Sequence, residues 1–184
     1  MNKLLLIMGD LATGKSTFAN MLSKRYDTVL FCKDPIKEKL GDFFGYTNRT
    51  ENLKLSHATA ALLYLIFSEF TEVNKDLILE SNFRIAELER LHQIAEENDF
   101  HVLTLVLRGN VEILHKRYLN RMNNENRPAV HLCPEFNTIE GFGAYLESLR
   151  TPTVPGSTIY IDANDFTYQT DAELLARIDE FMRE

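Results

Sequence analysis

The chain has 184 residues, 45% hydrophobic and 26% charged, which is enough apolar side chain to offset the entropy of ordering its whole length and excludes disordered and fibrous classes. At roughly 100–200 residues per domain, residues 1–184 read as one domain. Twenty Lys and Arg against 27 Asp and Glu leave a net charge of −7, so the average surface repels polyanions and nucleic acid is a disfavoured partner.

Leu4-Leu5-Leu6-Ile7-Met8 is an unbroken apolar run closed by Gly9, which predicts a parallel strand covered on both faces. Like every apolar run here it falls short of the roughly 18–20 residues that span a bilayer, so neither a membrane span nor a signal peptide is expected. Gly9-Asp10-Leu11-Ala12-Thr13-Gly14-Lys15-Ser16 follows directly and satisfies G-x-x-x-x-G-K-[ST] at every constrained position. Such a loop turns successive backbone N–H groups inward, and the next helix adds its unsatisfied donors and positive dipole end, so together they bind phosphate oxygens. Lys15 reaches the β- and γ-phosphates, the Ser16 hydroxyl ligates magnesium, and Thr17 continues the phosphate-facing turn. The expected ligand is a nucleotide.

Phe18, Met21, Leu22 and Tyr26 recur at helical spacing before a second strand over residues 28–32. Pro35 suits the first turn of another helix, whose apolar stripe is Ile36, Leu40, Phe43 and Phe44. Leu55, Ala58, Leu62, Ile66, Phe70 and Val73 predict a long helix of about five turns. Leu77-Ile78-Leu79 is a third strand, ending in Glu80-Ser81-Asn82, and Ile85, Leu88, Leu91 and Ala95 mark an amphipathic helix. Residues 102–107 form a fourth strand. Val111, Leu114, Tyr118 and Met122 mark the helix after it, and the polar stretch from Asn123 to Arg127 before Pro128 reads as a mobile loop. A short helix near residues 142–149, a fifth strand over 157–161 and a closing helix through Leu174, Leu175, Ile178, Phe181 and Met182 complete the order. Strands alternating with helices predict an α/β, three-layer fold: a five-stranded parallel sheet with helices on both faces.

Other features are ordinary. Cys32 and Cys133 lie far apart with no paired spacing, against a disulfide framework or thiolate zinc site, so a reducing cytoplasm is the expected compartment. The five histidines have no metal-ligand spacing. Asp42-Phe43-Phe44-Gly45 fits the D-x-x-G pattern but falls late in a helix, and Asn74-Lys75-Asp76-Leu77 misses N-K-x-D by one position, which disfavours a GTPase. Phe43, Phe44, Tyr46, Tyr64 and Phe67 read as core aromatics before they read as a substrate pocket.

The loop and the alternation of strands and helices resemble the small P-loop kinases, the shikimate, gluconate, antibiotic, adenylate and polynucleotide kinases of the kinase-like AAA-type group. The resemblance runs from Met1 to about the fifth strand and implies the P-loop NTPase fold with a small lid, here about residues 120–137. It further implies that Asp34, at the end of the second strand, accepts the proton of an attacking hydroxyl; as a purely local feature Asp34 would be a helix N-cap. Where such kinases often carry Arg three residues on, this chain has Lys37, which keeps the charge but loses bidentate geometry. Glu80 stands where a second carboxylate holds magnesium, with Ser81, Asn82 and Arg84 near the same crevice; the bland alternative is a solvated strand-end acid. Arg117, Arg121 and Arg127 match lid arginines that close over the phosphates, with adenine stacking open to one of them and a solvated helix face as the alternative. Asn164 and Asp165 fall where a loop contacts adenine. The implied activity is ATP- and magnesium-dependent transfer of the γ-phosphoryl group to a hydroxyl of a small molecule. The alternatives are a 5′-hydroxyl polynucleotide kinase and a nucleotide-binding regulatory or toxin-like module.

Overall fold

The computed structural model describes residues 2–124, 134–150 and 153–183. Strand and helix alternate as β1 (Lys3–Gly9), α1 (Lys15–Tyr26), β2 (Val29–Cys32), α2 (Lys33–Phe44), α3 (Arg49–Glu72), β3 (Leu77–Glu80), α4 (Ile85–Glu97), β4 (His101–Arg108), α5 (Val111–Asn124), α6 (Ile139–Leu149), β5 (Ser157–Asp162) and α7 (Ala172–Arg183). All five strands pair in parallel, in the order β2-β3-β1-β4-β5. The loop after β1 therefore leaves the centre of the sheet, where neighbouring strands share one crevice at their carboxyl ends. Among the described residues no helix is long and apolar enough to cross a membrane.

The period-two alternation of the strands divides the core. Leu4, Leu6, Leu77, Leu79 and Val106 face α3 and α4, against Leu63, Phe67, Leu88, Leu91 and Ile94. Leu5, Ile7, Ile78, Leu105 and Ile159 face α1 and α7, against Phe18, Leu22, Leu174 and Ile178. Burying each such side chain contributes about 1.5–3 kcal/mol, so both faces of β1 hold it in place. A third cluster, Leu114, Tyr118, Phe136, Phe142 and Leu146, joins α5 to α6, and Leu11 and Ala12 of the loop pack on it.

Two helical stripes differ from the expected ones. The buried face of α3 is Leu55, Thr59, Ala60, Leu63, Phe67 and Thr71, one residue round from the expected Leu62, Ile66 and Phe70, while Ala58 and Val73 are exposed. This helix is apolar on more than one face, so periodicity alone does not orient it. The deciding contact is Phe67, which meets Phe100 edge-on at 5.4 Å. In α2, Phe43 and Phe44 are 83% and 70% exposed instead of forming core. The helix packs through buried Gly41, which Tyr46 and Leu55 approach, and Phe43 lies roughly 200° further round. Nor is Asp34 the N-cap of this helix: Cys32 holds that position, and Asp34 lies inside the first turn, where Pro35 lacks an N–H that would be unsatisfied anyway.

Candidate active site

The loop from Gly9 to Lys15 reverses direction through three positive φ angles, +130° at Gly9, +60° at Ala12 and +88° at Gly14. A Cβ at Gly9 would lie 2.0 Å from the Leu107 carbonyl oxygen, and one at Gly14 would meet the Tyr168 hydroxyl at 2.8 Å and the Phe166 ring at 2.9 Å. Both positions therefore require glycine. The Asp10 N–H donates to Leu107 O at 2.8 Å, and the Tyr168 hydroxyl donates to Thr13 O at 2.7 Å, tying the loop to β4 and to the segment after β5. Thr13 is buried, its hydroxyl donating to Asp10 O at 2.9 Å, and the Lys15 ammonium donates to the same carbonyl.

Register brings a carboxylate to this loop. Glu80 stands level with Ile7 on one side and Cys32 on the other. Its Oε2 accepts from the Ser16 hydroxyl at 3.1 Å, and the Cys32 thiol is also a hydrogen-bond partner. Burial raises the Glu80 carboxyl above the ordinary range; Lys15 opposes that shift and Asp34 adds to it. Burial lowers the Lys15 ammonium, with Glu80, Asp34 and Asp10 opposing in that order. The Cys32 thiol is pushed well up by burial and by Glu80. Lys15, Glu80 and Asp34 thus feel one another's charge, and Asp34, unlike the other two, is exposed to solvent.

These residues line one end of a cleft of about 910 Å³. One wall is aromatic: Tyr118, Phe136, Tyr145 and Phe166. The other, from α2, α3 and the start of α4, is polar, with Lys37, Asn48, Asn52, Ser56, His57 and Arg84. Arg121 lines the cleft, and its charge is felt at Lys15. Arg117 is anchored instead near β5, where it donates to Ala163 O at 2.7 Å and to Asn164 O, with its guanidinium 4.3 Å from the centre of the Phe166 ring. Asn164 Oδ1 accepts from the Asn110 N–H at 2.6 Å, joining the segments after β4 and β5, and Asp165 Oδ1 accepts from the Thr167 N–H two residues on at 2.9 Å. Leu11, Ala12, Thr13, Gly14, Ser16 and Thr17 all border the cleft. Arg127 and half of the expected lid lie outside the described residues.

Sequence reasoning missed three participants. Arg150, at the end of α6, clasps the Asp10 carboxylate with two donors, at 3.1 and 2.6 Å. Phe166 and Tyr168 pack on Gly14. None of the three carries a motif, since each arrives from a distant segment. Conversely, Asn74 and Asp76 bind Asn2 and the Lys3 N–H at the opposite end of β1, a structural use unrelated to guanine.

The residues present fit a magnesium nucleotide. Ser16 and Glu80 offer adjacent hard oxygen donors of the kind magnesium takes, and the cradle at Gly14 has no room for a Cβ. Among the described residues there is no cluster of three or more His, Cys, Asp or Glu able to hold a metal by itself.

No family model matches the sequence, and no curated protein sequence matches it significantly. Solved structures do. A candidate kinase from Chloroflexus aurantiacus superposes with a TM-score of 0.75 at 23% identity, over 99% of this chain and 94% of that one. A gluconokinase from Sinorhizobium meliloti gives 0.66 at 14% identity, over 98% and 94%. The fold is that of the small P-loop kinases. Chaetomium thermophilum Kti12, in complex with ADP-AlF3, shares this kinase-like P-loop fold at a TM-score of 0.68 and 15% identity, over 96% and 97%.

Proposed function

We propose that the protein is an ATP-dependent phosphotransferase that moves the γ-phosphoryl group onto a hydroxyl of a small acceptor, drawing on cytoplasmic ATP. The observation that carries this reading is the convergence of Lys15, Ser16, Glu80 and Asp34 at one end of a single large cleft. The backbone N–H groups from Leu11 to Ser16 bind phosphate oxygens, assisted by the amino end of α1, while the Asp10 N–H stays on Leu107 O and holds the loop to β4. Lys15 turns from the Asp10 carbonyl to the phosphates, where its ammonium offsets their charge. Ser16 and Glu80 would hold magnesium, which would supply neutralisation of the phosphate charge. Asp34 accepts the hydroxyl proton as the acceptor oxygen bonds to phosphorus and the bond to ADP breaks. Arg121 and Arg127 stabilise the transferring group, and Arg117 on Phe166 offers a flat cationic surface for the base.

The alternative reading is a nucleotide-driven switch without transfer, for which the phosphate loop by itself would suffice. A screen of hydroxyl compounds, including 5′-hydroxyl oligonucleotides, for stimulated ADP release separates the two. Lys15→Ala should abolish ATP binding with an unchanged circular dichroism spectrum. Asp34→Ala should keep ATP affinity and lose about 10²–10⁴-fold in transfer rate. Undiminished turnover in Asp34→Ala removes its role as base, and wild-type ATP affinity in Lys15→Ala removes the phosphate loop. ATP binding with no transfer to any compound selects the switch.

A further inference from the structure

Glu80 holds its carboxylate where little water reaches it: the residue is 5% exposed, at the carboxyl end of β3. A buried carboxylate needs hydrogen-bond donors from the protein, and its terminal bond turns easily between them. Ser16 supplies one donor, at 3.1 Å from Oε2. A second comes from β2. Cys32, the last residue of that strand, stands level with Glu80 in the parallel register, so both side chains continue the row of Leu30 and Ile78 toward α1. There the thiol and the carboxylate are hydrogen-bonded.

The chemistry open to this thiol is narrow. Burial first, and then the charge of Glu80, keeps it a neutral S–H, so it donates and neither attacks nor binds metal as a thiolate. Magnesium in any case takes oxygen donors. Although Cys32 is the N-cap residue of α2, its side chain makes no capping bond, and unlike Ser16 and Glu80 it does not border the cleft. The thiol reaches a ligand in the cleft only through Glu80.

We propose that Cys32 is a positioning residue for the metal: its S–H, together with the Ser16 O–H, holds the Glu80 carboxylate in the orientation that receives magnesium. This rests on the phosphotransferase reading and deepens its magnesium site. Two donors on separate elements fix the plane of a carboxylate that one donor would leave free to turn, and a ligand ordered beforehand spares metal binding that cost. The same bond ties the metal carboxylate to the start of α2, whose first turn carries Asp34.

The test crosses packing against hydrogen bonding. Cys32→Val keeps an apolar side chain suited to a strand and removes the donor, whereas Cys32→Ser keeps a donor and removes the sulfur. ADP binding to wild type and both variants is measured by calorimetry in excess EDTA and at rising magnesium chloride. In EDTA all three should bind ADP equally, which reports an intact phosphate loop. The magnesium concentration giving half-maximal tightening should rise about tenfold in Cys32→Val and stay near the wild-type value in Cys32→Ser. An unchanged concentration in Cys32→Val, or an equal rise in both variants, would overturn the positioning role while the magnesium site stands. Loss of ADP affinity by Cys32→Val in EDTA as well would also overturn it, assigning the residue to loop packing. If magnesium does not tighten ADP binding in wild type, Ser16 and Glu80 do not hold the metal; if ADP does not bind at all, the phosphotransferase reading itself falls.

Discussion

Asp10 occupies a variable position of the loop motif, yet its carboxylate is only 2% exposed and is held by two Arg150 donors and by the Gly109 N–H at 3.1 Å. Arg150 also donates to Gly109 O at 2.8 Å, so the loop, the turn after β4 and the end of α6 share one charged knot. Pairing raises the Arg150 pKa, through the Asp10 hydrogen bonds first. Removing one partner leaves a buried charge alone. Arg150→Ala should therefore cost about 3 kcal/mol or more in urea denaturation, and adding Asp10→Ala to it should recover much of that loss. A double variant no more stable than Arg150→Ala would show that the pair is not what holds the loop. The motif offered Asp10 as a phosphate-loop residue, but nothing near it in sequence announces Arg150, 140 residues away.

At the scale of elements, α3 shows how far periodicity reaches. Its length and helical character are plain in the sequence, while its rotation is set by the sheet and by Phe100. Phe67 is fully buried and Ile66 only half-buried, so Phe67→Ala should destabilise by about 3–5 kcal/mol and Ile66→Ala by under about 2 kcal/mol. Equal losses in chemical denaturation would mean that the helix sits in the expected rotation after all. The same reasoning explains α2, whose aromatic pair Phe43 and Phe44 remains in solvent because Gly41 makes the contact. The Glu80 position was legible, since an acid ending a buried three-residue strand reaches the carboxyl edge wherever that strand pairs.

For the molecule as a whole, the phosphate loop springs from the central strand, so ligand binding there is linked to global stability. At a nucleotide concentration one hundred times Kd, MgATP should add about 2.7 kcal/mol, read as a rise in Tm. Gly14→Ala should abolish the rise, because its Cβ would strike Phe166 and Tyr168. A full nucleotide-dependent Tm shift in that variant would mean that the loop does not hold the phosphates.

Strand number, layer count and the phosphate loop follow from local signals: apolar runs too short to be anything but buried strands, helical stripes between them, and a motif whose function lies in its own backbone. Rotation of α3, exposure of the α2 aromatics, the hold of Arg150 on Asp10 and the bond of Cys32 to Glu80 depend on which segments meet. Contacts between residues far apart in the chain leave no period behind, and only the packed sheet and helices decide them.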